Sequence, residues 1–238
     1  MKRLGFVVGA LMLAALVLAA CGGGDGGPGQ TASSINPADF QAKVDNRFYP
    51  LTSPTARVYE GEERDPDTGK VIKTRVKENV LAKTDTLAGV SVSVLEVKAY
   101  KDRELVESTL DYFAQHKDGS VYYFGERLDE YEGGKVVGHK GQWLAGEGKN
   151  LPGLFMPAQP ALGQTFEQEK APGVAEDTSK IVAVDQSIST AAGSFDGCVK
   201  TEDFTPLDKT TEHKYYCPGA GVVREEFPEG HLDLISYR

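Results

Sequence analysis

Two consecutive hairpins are encoded by residues 110–139, LDYFAQHKDGSVYYFGERLDEYEGGKVVGH. Asp118-Gly119 and Gly133-Gly134 are dipeptides that favour the positive φ angles of two-residue hairpin turns. This stretch therefore predicts antiparallel strands joined by tight turns. The four predicted strands are 110–117, 120–125, 127–132 and 135–139.

Aromatic side chains are concentrated on these strands: Tyr112, Phe113, Tyr122, Tyr123, Phe124 and Tyr131. Cross-strand aromatic pairs stabilise a sheet by covering one of its faces. The same rings could also form a platform for a ligand. The sequence leaves both interpretations open.

The rest of the chain after Phe40 has the same character, with short apolar stretches separated by turns and no long helical periodicity. It predicts an all-β fold, a curved antiparallel meander or half-open barrel. A short helical turn is expected between Asn36 and about Asp45. At Val94-Leu95 the apolar phase flips, which predicts a bulge or a strand that moves to another face. The further predicted strands are 56–63, 71–84, 165–170, 180–188, 194–203, 213–217, 222–227 and 231–237.

A segment rich in Pro and Gly, residues 142–163, interrupts this pattern. Three prolines within nine residues argue against a regular ladder, so we expect a crossover or lid over one end of the sheet, with Trp143 buried beneath it. Its apolar residues cover the core or wall a cavity. The candidate ligand-binding residues are Trp143, Leu154, Phe155, Met156, Tyr112, Tyr122 and Phe124.

The N-terminus has the three parts of an export signal: basic Lys2-Arg3, an apolar run over residues 4–20, and a small-residue end, Leu18-Ala19-Ala20-Cys21. The last four residues resemble the lipobox of bacterial lipoproteins. The resemblance implies cleavage before Cys21 and attachment of lipid to that cysteine. The alternative is an ordinary signal peptide followed by an incidental cysteine.

The export signal sets the predicted organisation: signal peptide 1–20, lipidated cysteine and flexible Gly-rich tether 21–34, and one β-rich domain 35–238. The expected location is the extracytoplasmic side of the cell envelope. This means the outer membrane in a two-membrane host and the outer face of the plasma membrane otherwise. The membrane is the expected partner, through the lipid.

The charge argues against nucleic acid as a partner. The formal net charge is −9, and removal of Lys2 and Arg3 brings it to −9 − 2 = −11. A surface of this sign repels phosphate backbones.

Cys198 and Cys217 remain once Cys21 carries lipid, and an exported chain keeps disulfides. Both flank a turn over residues 205–210 at equal distances, so a hairpin places them opposite one another. We predict a disulfide between them. A metal site is not expected, because no further Cys or His lies at ligand spacing.

No catalytic set is recognisable around the four histidines, His116, His139, His213 and His231, for which structural or surface roles are expected. Neither G-x-S-x-G nor H-E-x-x-H occurs. We therefore expect no catalytic residue, no cofactor and no enzyme activity. Acids are plentiful, however, and a carboxylate pair in a cleft would be the signature of a hydrolase.

Six short stretches of the chain share a recognisable wording: residues 46–51, 57–61, 112–115, 121–125, 152–158 and 216–223. Together they resemble a family of secreted bacterial proteins of uncharacterised function, the DUF3108-like and TapB-type β domains. The resemblance implies a curved antiparallel sheet, similar in outline to the lipoprotein carriers LolA and LppX. The chain departs from the family pattern at Ala56-Arg57, where a Trp is expected, and at Cys217, which takes an Ala-like place.

The leading functional hypothesis is a membrane-tethered, non-enzymatic lipoprotein that binds an apolar ligand or an envelope partner. One alternative is an envelope hydrolase with paired carboxylates. Another is an assembly or stability factor for a neighbouring envelope complex.

Overall fold

The computed structural model describes residues 35–238. The predicted signal peptide, the lipid site at Cys21 and the tether lie outside the described residues, so these stay predictions. Across residues 35–238, no helix has the length and apolar character needed to cross a membrane.

Sixteen strands and one 3-10 turn make up the described chain. The turn is Pro37–Asp39, capped by Asn36, whose side chain accepts a hydrogen bond from the Ala38 N–H. The strands are β1 (Phe40–Gln41), β2 (Ala56–Arg64), β3 (Val71–Leu87), β4 (Val90–Lys101), β5 (Glu104–His116), β6 (Val121–Glu132), β7 (Lys135–Gly138), β8 (Trp143–Leu144), β9 (Leu151–Met156), β10 (Thr165–Glu167), β11 (Glu169–Lys170), β12 (Thr178–Thr190), β13 (Gly193–Thr205), β14 (Thr210–Cys217), β15 (Gly221–Phe227) and β16 (Gly230–Tyr237).

The strands form one antiparallel sheet that curls into a nearly closed barrel. Strands β2 to β6 are neighbours in chain order, and so are β12 to β16. The last strand, β16, pairs with β2 and joins the two meanders. The predicted fold class, all-β with a curved meander or half-open barrel, is confirmed.

The two edges of the sheet meet at residues 165–170, called the seam here. Strand β10 pairs with β12, whereas β11, one residue later in the chain, pairs with β9. The Gln168 and Glu169 N–H groups both donate to the carbonyl oxygen of Asp177, at 2.8 and 3.2 Å. The segment 165–170 therefore bridges the two edges of the sheet by dividing its hydrogen bonds between them.

Both predicted hairpins are present. Gly133-Gly134 forms the predicted two-residue turn, with positive φ at both positions. The first turn is one residue longer, because the His116 N–H donates to the Ser120 carbonyl oxygen and leaves Lys117, Asp118 and Gly119 in the loop, with a positive φ at Gly119 alone. The two hairpins share β6 as one continuous strand, where the sequence predicted two separate strands. Gly125 bends β6 with a φ of 103°, and a Cβ atom there would lie 2.2 Å from the Trp143 carbonyl oxygen. Gly125 therefore marks a bend within a strand, where the sequence indicated a strand end.

The phase flip at Val94-Leu95 is a change of buried face within β4. Val90, Val92 and Val94 are buried before it, and Leu95, Val97 and Ala99 are buried after it. Residues 90–92 pair with β3 but not with β5, whereas β4 from Ser93 onward lies between the two strands. The β3–β4 hairpin tip at Ala88 reaches Gly146, which follows β8. The hairpin thus extends beyond β5 at this end, and the two halves of β4 bury opposite faces, in line with the predicted change of face.

Residues 42–51, called the plug here, close one end of the barrel. The Ser93 hydroxyl donates to the Ala42 carbonyl oxygen at 2.7 Å, and the Gly219 N–H donates to that of Arg47 at 2.8 Å. The Tyr49 ring enters the barrel, with its centroid 4.6 Å from that of Phe155. The predicted helical turn stops at Asp39, because Phe40 already pairs with β5.

Arg57 ties the plug to the barrel wall and is 1% exposed. Its Nε donates to the Ala220 carbonyl oxygen at 2.7 Å and its Nη2 to that of Pro50 at 2.5 Å. Its Nη1 lies 3.5 Å from Glu78 Oε2. Arg57 is thus a buried structural anchor.

The expectation of a lid over residues 142–163 is wrong for its centre. Residues Leu151–Met156 form β9, a strand of the barrel wall between β6 and β11. Of the prolines, only Pro152 lies within this strand, and its ladder with β11 is two residue pairs long. A short ladder tolerates the missing N–H. Trp143 is 2% exposed as predicted, but it is held by β8 beside β6.

The predicted disulfide is confirmed. Cys198 and Cys217 are bonded, with 4.2 Å between their Cα atoms. The register of the hairpin, with Val199 opposite Tyr216 and Thr205 opposite Thr210, places them directly across from one another. Both are fully buried.

Candidate functional site

A cavity lies inside the barrel, next to the plug, with about 770 Å³ of space not occupied by atoms, part of it open to solvent. Strands from both meanders line it, together with Tyr49 of the plug and residues of the seam. Ligand pockets in proteins are commonly concave sites of this kind with a few convergent polar groups. The cavity is therefore the candidate functional site.

One part of the wall is aromatic. The Phe113 and Tyr123 rings stack with centroids 4.9 Å apart, and Phe155 packs against Phe113 at 5.0 Å. The Tyr216 ring lies 6.3 Å from those of both Tyr49 and Phe155. These rings come from β5, β6, β9, β14 and the plug, so the cluster exists only in the closed barrel.

The other part of the wall is acidic. Lys214 is the cation among these groups, and its Nζ lies 3.4 Å from Asp203 Oδ2, 3.8 Å from Glu225 Oε1 and 3.9 Å from Glu212 Oε2. Burial lowers the pKa of Lys214, but the carboxylates of Glu225 and Asp203 outweigh this and raise it well above its usual value. The carboxyl side chains that line the cavity are Glu78, Asp111, Glu169, Asp177 and Glu225.

A second group of acids surrounds Asp111. Glu126 lies directly opposite it on β6, and Glu107 lies four residues earlier on β5. Burial, and then the charge of Glu78, raises the pKa of Asp111 to about 7. Burial, and then the charge of Asp111, raises that of Glu107 to about 8 and that of Glu126 well above its usual range. Few cations offset these carboxyls, so the interior favours their protonated forms.

Four carboxyl oxygens at the cavity lack a hydrogen-bond partner among the described residues: Asp111 Oδ1, Glu169 Oε2, Asp177 Oδ1 and Glu225 Oε1. Glu225 Oε1 lies 3.8 Å from Lys214 Nζ, and Asp177 is only partly buried, whereas Asp111 and Glu169 are 8% and 5% exposed. Burial, and then the charge of Asp177, holds the pKa of Glu169 well above its usual value. Most buried polar atoms in proteins have a partner, so the oxygens of Asp111 and Glu169 mark positions where the interior leaves hydrogen-bonding capacity unused.

The interior carboxyls make stability depend on pH. In an unfolded chain Asp and Glu have pKa values near about 4, whereas Asp111 and Glu107 have values of about 7 and about 8 in the fold. Between pH ~4 and ~8 the folded state therefore binds more protons, and the free energy of unfolding falls as pH rises. We expect a higher melting temperature at pH 5 than at pH 8.5 by calorimetry.

Glu107→Gln is expected to flatten this pH profile, because it removes one of the titrating groups. Glu104→Gln is the matched control, since Glu104 begins the same strand and is exposed. A melting temperature that rises steadily from pH 5 to pH 8.5 would contradict the assignment of protonated interior carboxyls.

The structure separates the predicted ligand residues. Of these residues, only Phe155 lines the cavity. Trp143 does not line it, but the Trp143 ring lies 5.5 Å from that of Tyr123, which does. Tyr122 and Phe124 pack on Phe40 instead, at 5.3 and 5.5 Å. Tyr112, Leu154 and Met156 are also absent from the cavity lining. Strand alternation explains the split, because successive residues point to opposite faces.

The acids of the cavity were not identified as a site from the sequence. A signal is present in β5, where Glu107, Thr109, Asp111 and Phe113 alternate at period two and are all buried. A spacing of two residues along a strand indicates that the side chains share a face, but it does not indicate whether that face points to the interior. Glu225 and Glu226, neighbours on β15, point to opposite faces: Glu225 lines the cavity and Glu226 pairs with Lys200 at 3.0 Å.

The histidines lie away from the cavity lining. Three of them are near surface acids: His116 near Asp118, His139 near Asp129 and His213 near Glu202. Within residues 35–238, no three His, Cys, Asp or Glu side chains are grouped so that they could hold a metal ion.

Comparison with known proteins gives one structural likeness. A crystal structure from Parabacteroides distasonis, described as that of a "putative lipoprotein", superimposes with a TM-score of 0.40 at 15% sequence identity. The alignment covers 81% of this chain and 99% of that one. No protein-family model and no curated protein matches the sequence.

Proposed function

We propose that this chain is a membrane-tethered lipoprotein of the cell envelope that binds a small ligand inside its barrel without catalysing a reaction. The observation that carries the proposal is the cavity, in which an aromatic wall faces buried carboxyls with unused hydrogen-bonding capacity. A core that serves stability alone gains nothing from unpaired buried carboxyls, because each costs free energy.

The acidic wall modifies the hypothesis of a purely apolar ligand. An acyl chain would leave the carboxyls of Asp111 and Glu169 without partners, whereas a ligand with both apolar and polar groups would engage both parts of the wall. The ligand proposed here therefore combines an apolar body with a hydrogen-bonding or charged group.

Native mass spectrometry of the full chain, extracted from membranes in a mild non-ionic detergent, tests the proposal. A small molecule retained by the folded protein and released on unfolding is the expected result. A protein that repeatedly carries no such molecule, and whose melting temperature no small molecule raises, would refute ligand binding.

In this proposal, lipid on Cys21 and the tether after it hold the domain close to a membrane. The lipobox-like Leu18-Ala19-Ala20-Cys21 and the Gly-rich residues 22–34 support this part of the proposal. Residue 35 follows directly, and Pro37 lies near the β3–β4 turn, at the plug end of the barrel. The plug end is therefore the end proposed to face the lipid.

Cys21→Ala is expected to move the protein from the membrane fraction to the soluble fraction, because it removes the acceptor of the lipid. Fractionation followed by immunoblotting measures this, with wild type and Cys198→Ser as controls that keep the lipid site. Retention of the Cys21→Ala protein in membranes would rule out the lipid anchor.

A hydrolase is the second candidate, and one observation favours it. Asp111 and Glu126 are directly opposed across β5 and β6, in the interior, and both have raised pKa values because of burial. A protonated carboxyl beside an ionised one is the arrangement that glycosidases use. Turnover of a chromogenic glycoside, lost in both Asp111→Asn and Glu126→Gln, would favour this candidate over binding alone.

A further inference from the structure

The balance of charge in the cavity indicates the chemistry of its ligand. Five carboxyl side chains line it, against the single ammonium of Lys214. Glu78 is already engaged by Arg57 and by the Tyr59 hydroxyl, and Glu225 lies near Lys214. Building on the ligand-binding function above, we propose that the cavity binds a compact organic cation, an ammonium group carrying a small aromatic or apolar body.

Asp111 and Glu169 are the two carboxyls that would receive the ammonium. They come from β5 and β11, and each has one oxygen with no hydrogen-bond partner among the described residues. Both residues are more than nine-tenths buried and line the cavity. A cation between them would supply the counter-charge that the fold does not.

The aromatic wall suits the same ligand. Phe113 follows Asp111 by two residues on β5, so both side chains face the cavity. Tyr123 stacks on Phe113, and the Phe155 ring packs against Phe113 with 5.0 Å between the ring centroids. Ring faces attract ammonium groups when the site is desolvated, and they also cover an apolar ligand body.

Two other occupants fit the cavity less well. No three acids within residues 35–238 are grouped to hold a metal ion, so the carboxyls surround a space rather than a point. An acyl chain would leave the oxygens of Asp111 and Glu169 unpaired, and an anion would meet the carboxyls of the acidic wall. An organic cation satisfies the charge without requiring the ligands of a metal.

The pH dependence of binding follows from the groups around Asp111. Facing it are Glu78 from β3, Glu126 and Tyr123 from β6, and Glu169 from the seam. Burial, and then the charge of Glu78, raises the pKa of Asp111 to about 7. An ammonium ion binds the ionised form of Asp111, so its affinity should rise as pH increases from 5.5 to 8.5.

Isothermal titration calorimetry of the full chain in non-ionic detergent tests the proposal. The probes are benzylammonium, uncharged benzyl alcohol and anionic benzoate. We expect the ammonium to bind at pH 8, and to bind at least about tenfold more weakly at pH 5.5. Benzyl alcohol should bind more weakly and benzoate not at all.

Asp111→Asn and Glu169→Gln are each expected to weaken binding of the ammonium probe by about 10- to 100-fold, the range for loss of a charged partner. Glu104→Gln and Glu167→Gln are the matched controls, because these exposed acids lie on the same strand as Asp111 and two residues before Glu169. Both controls should bind as wild type does. Melting temperatures at pH 8 show whether each variant is folded.

The outcomes distinguish failure of the organic-cation proposal from failure of the proposed ligand-binding function. If benzyl alcohol or benzoate binds as tightly as the ammonium, or if Asp111→Asn and Glu169→Gln fold and bind like wild type, the cation class is wrong and ligand binding stands. If no probe binds and native mass spectrometry finds no retained molecule, both proposals fail.

Discussion

Replacing Arg57 with methionine is expected to lower the free energy of unfolding by about 3–5 kcal/mol, the usual effect of removing one partner from a buried ion pair. Methionine keeps much of the apolar volume but leaves Glu78 without its cation. The carbonyl oxygens of Pro50 and Ala220 also lose their donors. Urea unfolding followed by Trp143 fluorescence measures the change.

Arg75→Met is the matched control on the neighbouring strand. Arg75 pairs with Glu60 at 3.2 Å, and both side chains are 48% exposed. Such surface pairs contribute little, so a change within about 0.5 kcal/mol is expected. The double variant Arg57→Met/Glu78→Gln should regain part of the loss because it removes the stranded charge. An Arg57→Met protein as stable as wild type would show that Arg57 does not anchor the plug.

Removing the disulfide is expected to cost about 3 kcal/mol of unfolding free energy. The sequence separation of Cys198 and Cys217 is 19, and closing a loop of this length restricts the unfolded chain by about that amount in the entropy model. Thermal and urea unfolding of Cys198→Ala/Cys217→Ala, compared with wild type, measure the loss.

Single variants and chemical reduction serve as controls for this prediction. Reduced wild type should match the double variant closely, because both lack the cross-link and both sites are buried. Cys198→Ser should be less stable than the double alanine variant, because it buries a hydroxyl and leaves a free thiol. Free thiols in the purified protein, or an unchanged unfolding midpoint, would contradict the prediction.

Local patterns in the sequence predicted much of the sheet. The turns at Asp118-Gly119 and Gly133-Gly134 follow from the φ angles that glycine allows. The disulfide follows from symmetric spacing around one turn. The prediction was wrong for residues 151–156, because proline is incompatible with a long regular ladder but not with a short one. The structure places this strand where two residue pairs with β11 suffice.

The site was only partly predictable. The sequence indicated that residues 142–163 would wall any cavity, and Phe155 does line it. It did not distinguish Phe113 and Tyr123, which line the cavity, from Tyr112 and Phe124, which do not. Alternation shows which residues share a face, but both faces of β4 and β6 carry apolar side chains, so composition did not show which face is interior.

The sequence by itself determined the strand pattern, the tight turns and the cysteine pairing, because these depend on residues close in the chain. Only the tertiary structure decided that β16 closes onto β2 and that segment 165–170 bridges the seam. That closure brings Asp111 and Glu169, 58 residues apart (169 − 111), to one cavity. Their burial and raised pKa values arise from long-range strand pairing, which no local pattern encodes.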